Sequence, residues 1–166
     1  MDWRYLIVAA VFALGACGGG NEAREQEIER EAARHGVDAD VELNERGEVE
    51  TVEIKGLGGT SVGSNLDLPA DFPADVPVPA DWSIMATTPA PGGYMVQALS
   101  GDDAQSIVDV MRASLSANGW AETSADTPTP QMRRIGFNKD DRMTNVIVTE
   151  NGETHAVQII TIKTPG

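Results

Sequence analysis

Residues 143–164 read MTNVIVTENGETHAVQIITIKT, and this stretch decides the fold. Two runs rich in β-branched residues, Met143 to Thr149 and Thr154 to Thr164, flank Asn151-Gly152. Both of those residues tolerate the positive φ of a type I′ turn, so the stretch predicts a β-hairpin. Val157, Ile159, Ile160 and Ile162 give the last strand apolar material on both faces, which suits a central position in a sheet.

Working outward, Lys139-Asp140-Asp141-Arg142 turns the chain back to a strand from Met132 to Phe137. A polar loop is expected before it, through Pro128 and Pro130. Further upstream, Ala104, Ile107, Val108, Met111 and Leu115 repeat at helical spacing, which predicts one amphipathic helix. Ser100 with Asp103 reads as its capping box, and Gly119 as its stop. Trp120 is expected to fold back against the helix end near Leu115. Trp82 to Thr88 and Tyr94 to Leu99 read as a hairpin reversed at 89–93. The fold class is therefore α+β: an antiparallel sheet with one covering helix, in the order strand-strand-helix-strand-strand-strand.

The segment from Leu66 to Asp81 carries Pro69, Pro73, Pro77 and Pro79. Proline fixes φ and removes an amide donor, so an extended strap is expected, with Leu68, Phe72, Val76 and Val78 docked on its own domain. Glycine-rich residues 56–65 read as a linker. Before it, Val37, Ala39, Val41 and Leu43 alternate with Asp38, Asp40 and Glu42, a half-buried strand paired in a hairpin with 48–55. The acidic spacing does not make an EF-hand loop, because Leu43 and Val49 stand where the glycine and the bidentate glutamate are required. The charged run 22–35, with Asn21 at its start and Gly36 at its end, reads as a stalk helix with only Ile28 and alanines on its apolar side.

At the N-terminus, Leu6 to Leu14 is apolar but shorter than the ~20 residues a membrane-crossing helix needs, so it reads as the core of a signal peptide. Leu14, Gly15, Ala16 and Cys17 follow, and Cys17 is the single cysteine of the chain. This stretch resembles the lipobox of bacterial lipoproteins. The resemblance implies cleavage before Cys17, with Leu14, Gly15 and Ala16 recognised by the signal peptidase and Cys17 acylated as the new N-terminus. Two or three acyl chains anchor stably where one is marginal. Gly18 after the cysteine, by the same resemblance, favours the outer membrane in a cell that has one, with the protein on its periplasmic face. A second resemblance rests on Leu68, Pro69, Phe72, Pro73, Asp75, Val76, Pro77 and Pro79, with Asn118, Gly119 and Trp120. In these residues the chain is similar to a group of small uncharacterised envelope lipoproteins with a proline-rich strap and an α+β domain. It departs from that group at Ala80-Asp81-Trp82, where their tight turn carries a glycine.

The domain reading is a signal peptide over 1–16, a tether and stalk helix over 17–36, an acidic hairpin and linker over 37–65, and an α+β domain over 66–166. The formal charge is −14, from 26 acidic and 12 basic residues, and cleavage leaves it unchanged because Asp2 and Arg4 leave together. Such a surface disfavours nucleic acid and anionic lipid as partners. His35 and His155 are the only histidines, too few and too far apart in sequence for a metal cluster or a histidine-based triad. No phosphate-binding loop or nucleophile elbow occurs. Asp102-Asp103 and Asp140-Asp141 have structural explanations at a helix start and a turn. Arg133, Arg134, Lys139 and Arg142 form the one basic cluster, suited to an acidic partner or to the protein's own acidic hairpin. The expected function is a lipid-anchored, non-enzymatic binding or scaffold module of the cell envelope, without metal or cofactor, held to the membrane through Cys17 and meeting an envelope protein partner. Two alternatives stand beside it: an enzyme or accessory subunit whose carboxylates converge from Asp38, Asp40, Asp102 or Asp140, and a module that lends a sheet edge to a partner strand.

Overall fold

The computed structural model describes residues 20–55 and 59–164. The described residues form α1 (Asn21–Arg34), β1 (Ala39–Leu43), β2 (Val49–Ile54), β3 (Thr60–Gly63), β4 (Ser83–Ala90), β5 (Gly93–Ser100), α2 (Ala104–Ala117), β6 (Ala121–Thr129), β7 (Met132–Lys139), β8 (Arg142–Asn151) and β9 (Thr154–Lys163). All nine strands join one sheet in the order β1-β2-β3-β4-β5-β9-β8-β7-β6, and each neighbouring pair runs antiparallel. The architecture is an antiparallel sheet with two helices.

β9 lies between β5 and β8, the interior position its two apolar faces suggested. Its Val157 and Ile159 join Val96, Ala98, Ile135, Phe137, Val146 and Val148 in one buried cluster. Ile107, Val108, Met111 and Leu115, spaced along one stripe of α2, belong to the same cluster. The β8–β9 turn differs from the expected type I′ by one residue. Asn151 still pairs with Thr154, so the two loop residues are Gly152 and Glu153, and only Gly152, at φ +66°, takes positive φ. That is the glycine-first pattern of a type II′ turn, equally suited to the strand twist.

α2 begins at Asp103 rather than Ser100: the Asp103 carboxylate accepts the amides of Gln105 and Ser106, while Ser100 bonds Asp102. The helix ends as expected. Gly119, at φ +82°, donates to the Ser116 carbonyl and Trp120 donates to the Leu115 carbonyl, the paired bonds of a Schellman motif. Trp120 and Leu115 are both buried in the core beneath it.

Three corrections concern segments read as irregular. Residues 121–129, expected as a polar loop, are β6, an edge strand with every residue exposed. Nothing in it is buried, so no apolar alternation marks it in the sequence. The glycine-rich stretch expected as a linker contains β3, which pairs Ser61 with Thr87 and Val62 with Ala86 and so carries the β1–β2 hairpin into the main sheet. The proline-rich strap is not extended. Phe72, Val76 and Trp82 each donate their amide to the carbonyl of Pro69, Pro73 and Pro79, three residues earlier. Pro-Ala-Asp followed by an apolar residue thus repeats three times as a turn, at 69–72, 73–76 and 79–82. Each turn faces its fourth residue inward: Val76 and Trp82 are buried, and Phe72 packs on the cluster. At Ala80-Asp81-Trp82 the turn closes without glycine.

α1 spans the residues expected for it and ends near Gly36, at φ +78°. It does not stand clear of the sheet. Glu29 accepts the Val41 amide at 3.1 Å and Glu25 the Leu43 amide at 2.8 Å, so one side of α1 rests on β1. Ala39 and Val41 are buried there, apart from the main cluster.

Candidate functional site

The site begins with the pleat of β7. Arg133 pairs across the sheet with buried Val148, and Ile135 and Phe137 follow on the same face, so Arg133 points to the α2 side while Arg134 points away. β6 continues the sheet past β7, and α2 runs above. Between them lies an open cleft of about 160 Å³ lined by residues including Gln105, Val108, Arg112, Asp126, Thr127 and Arg133.

Arg134, on the opposite face of β7, also borders the cleft, and of its three arginines two are occupied. Arg112 donates to Glu122 at 2.8 Å and to Asp109 at 3.0 Å. Arg134 grips Asp126 through two bonds of 3.1 and 2.5 Å. Arg133 has neither kind of partner among the described residues, and its Nε is buried with no acceptor. A buried charged donor without an acceptor is costly, which singles this one out. Thr144 and Thr161 also bury unpaired hydroxyls, directly opposite each other, and His155 buries an unpaired Nδ1, but none of the three lines this cleft or the groove described next.

A second, larger groove of about 360 Å³ lies between the strap and the β4–β5 turn, around Asp71 and Tyr94. There the Tyr94 hydroxyl donates to Asp71, which raises the phenol's pKa, and the Tyr94 ring tilts against Phe72 at 5.9 Å. Its one titratable pair is thus satisfied internally.

The basic cluster seen in the sequence is split by the fold. Lys139 and Arg142, at the β7–β8 turn, both bind Asp75 of the strap, at 2.6 Å and at 2.9 and 2.5 Å. The hydrogen bonds from Arg142 and then Lys139 hold the Asp75 carboxyl well below the usual carboxylate range, against the opposing effect of burial. Trp120 Nε1 donates to the Asp75 carbonyl at 2.8 Å, and the Arg142 guanidinium lies 4.9 Å from the centre of the Trp120 ring. These two cations therefore meet the strap, not the acidic β1–β2 hairpin, and Arg133 alone is left unpaired.

The carboxylates of the enzyme alternative do not come together. Asp38 and Asp40 belong to the β1 end, where Asp40 pairs with Lys55 at 2.7 Å. Asp102 precedes α2, and Asp140 sits in the β7–β8 turn at φ +52°. β1 and β7 are separated by six strands, roughly 34 Å at the usual strand spacing. Among the described residues no group of three His, Cys, Asp or Glu side chains is placed to hold a metal ion. No helix of the described residues is long and apolar enough to cross a membrane. The lipobox residues Leu14, Gly15, Ala16 and Cys17 lie outside the described residues.

The cleft was half legible. Arg133 belongs to the basic cluster, and strand parity separates it from Arg134. Its other wall, β6, carries no periodic signal and was missed. Compared with known proteins, the chain matches no family model, no curated protein and no solved structure.

Proposed function

We propose that the chain is a lipid-anchored protein of the bacterial cell envelope, acylated at Cys17 on the periplasmic face of the outer membrane, and that it is a non-enzymatic binding module whose binding end is the β6 end of the sheet. One observation carries the second half of this reading: the two edges of the sheet are treated differently. The β1 edge is closed by Glu25 and Glu29, whereas among the described residues β6 is uncovered and borders a cleft where Arg133 lacks a partner. In this reading α2 is the covering helix of the sheet's apolar face. Residues 17–36 hold the sheet off the membrane, with α1 as a spacer seated on β1 rather than a free stalk.

Strand addition at β6 is the second reading, favoured by the exposure of the whole strand. It has less behind it. The β6 register shifts between Glu122 and Ser124 and again between Asp126 and Thr129, and Pro128 lacks a donor. Bulges, charges and proline are the usual devices that blunt an edge. Recognition by side chains in the cleft is the better supported mode.

Two experiments test the proposal. Cys17→Ala should abolish incorporation of a fatty-acid label and leave an uncleaved precursor; labelling that persists contradicts the anchor. A photo-crosslinking residue at Thr129 of β6 should give a discrete adduct in cells, and one at Glu42 of β1 should not. Equal adducts from both ends would sink the assignment of the binding end.

A further inference from the structure

The geometry points to Arg133 as the receptor for a single carboxylate, and we propose that the cleft between α2 and β6–β7 binds a monoanionic carboxylate, either a chain end or acidic side chain of a partner or a free organic acid. This rests on the reading of the β6 end as the binding end. Charge sets the valence of the ligand. Arg112 faces Glu122 and Asp109, and Arg134 faces Asp126, so of the arginines that line the cleft Arg133 is the one without an anion among the described residues. Arg133 supplies the one uncommitted positive group of that lining, and a dianion such as phosphate would find no second free cation there to neutralise its other charge. Shape agrees. A guanidinium presents a planar fork that matches a carboxylate with two parallel bonds, and here its buried Nε is the donor without an acceptor. Gln105 and Thr127, on opposite walls, offer neutral groups beside it. Volume limits the ligand as well: about 160 Å³ is below the range of sites that enclose whole drug-sized ligands, and it suits one carboxylate-bearing group entering from the open side.

The test follows the Nε–Hε resonance of Arg133 in the isotopically labelled full chain. The probes are sodium acetate, inorganic phosphate, and a short neutral peptide presented either as its free C-terminal acid or as its C-terminal amide. The expected result is a saturable shift of the Arg133 signal with acetate and with the acid peptide, a response to phosphate at least about tenfold weaker, and none to the amide. R133Q should abolish binding, and K55Q, at the β1 end of the sheet, should preserve it. R133K keeps the charge without the fork and should weaken binding about tenfold. An acid peptide that saturates well below acetate identifies a partner chain as the source, and equal saturation identifies a free acid; either supports the site. A non-saturating shift, an equal response to the amide, or tighter binding of phosphate overturns it. The titration is independent of acylation and of the crosslink, so it can fail while the anchored binding module stands, and the reverse.

Discussion

The two ends of this sheet solve one problem in opposite ways. At the β1 end an outer strand is closed by a helix: Glu25 and Glu29, one turn apart on α1, accept the amides of Leu43 and Val41, alternate residues of β1. The 1.5 Å rise of a helix over four residues nearly matches the two-residue step of a strand, so a glutamate ladder at this spacing can cap an edge. At the β6 end the outer strand is left bare and broken by bulges, while the strong contacts lie just inside it, in α2, β7 and the strap. The lesson is that sealing an edge and holding a fold are separate tasks here. The β1 end seals with polar bonds and little burial; the β6 end is held by the core and keeps its surface free.

The largest expected effect comes from removing what holds the β6 end. Trp120 fills the space where the strap, α2 and β7 meet, and Trp120→Ala should cost about 3–5 kcal/mol in denaturant unfolding. Val41→Ala at the β1 end removes two buried methyl groups from a much smaller cluster and should cost about 1.5 kcal/mol. Costs of similar size would erase the contrast between the ends.

Asp75→Asn comes next, at about 2 kcal/mol, because it strips the charge from hydrogen bonds with Lys139 and Arg142. The pH dependence has a definite sign. The folded-state pKa of Asp75 lies below its unfolded value near 3.8, so its contribution is complete at neutral pH and is lost as pH falls below about 4 toward the folded-state pKa. The gap between the unfolding midpoints of wild type and Asp75→Asn should therefore be constant from pH 7 to about 5 and begin to narrow by pH 3. A constant gap across that range would mean that Asp75 acts through packing alone.

A smaller effect is expected at the sealed edge. Glu25→Gln with Glu29→Gln weakens two charge-assisted bonds at a partly exposed site, about 0.5–1 kcal/mol in total. Concentration-dependent self-association, measured by sedimentation, should rise in the double variant as the β1 edge becomes available. Unchanged association would show that α1 blocks the edge by bulk rather than by these bonds.

How much of this was legible follows from where each element buries its side chains. β8, β9 and α2 bury a regular face, and their periodic residues Val146, Val148, Val157, Ile159, Ile107, Met111 and Leu115 marked them in the sequence. β6 buries nothing and β3 is four residues among glycines, so neither left a pattern to read. The strap was seen as proline-rich but its threefold Pro-Ala-Asp repeat was not, because a turn that faces only every fourth residue inward mimics an irregular docked segment. Arg133 was visible as one of four cations. That three of the four would be occupied depended on Asp75, 64 and 67 positions from Lys139 and Arg142, and on Asp126, 8 positions from Arg134, and only the folded sheet brings them in.

Amide hydrogen exchange on the intact chain tests most directly the claim that one edge is shut and the other open. The account predicts slow exchange at Val41 and Leu43, accelerated in the double variant Glu25→Gln, Glu29→Gln. In the same spectrum, alternate amides along 121–129 should exchange at nearly unprotected rates, since among the described residues one side of β6 has no strand beside it. Protection along all of β6 equal to that of Val41 and Leu43 would show that this edge too is covered in solution, and would contradict the account.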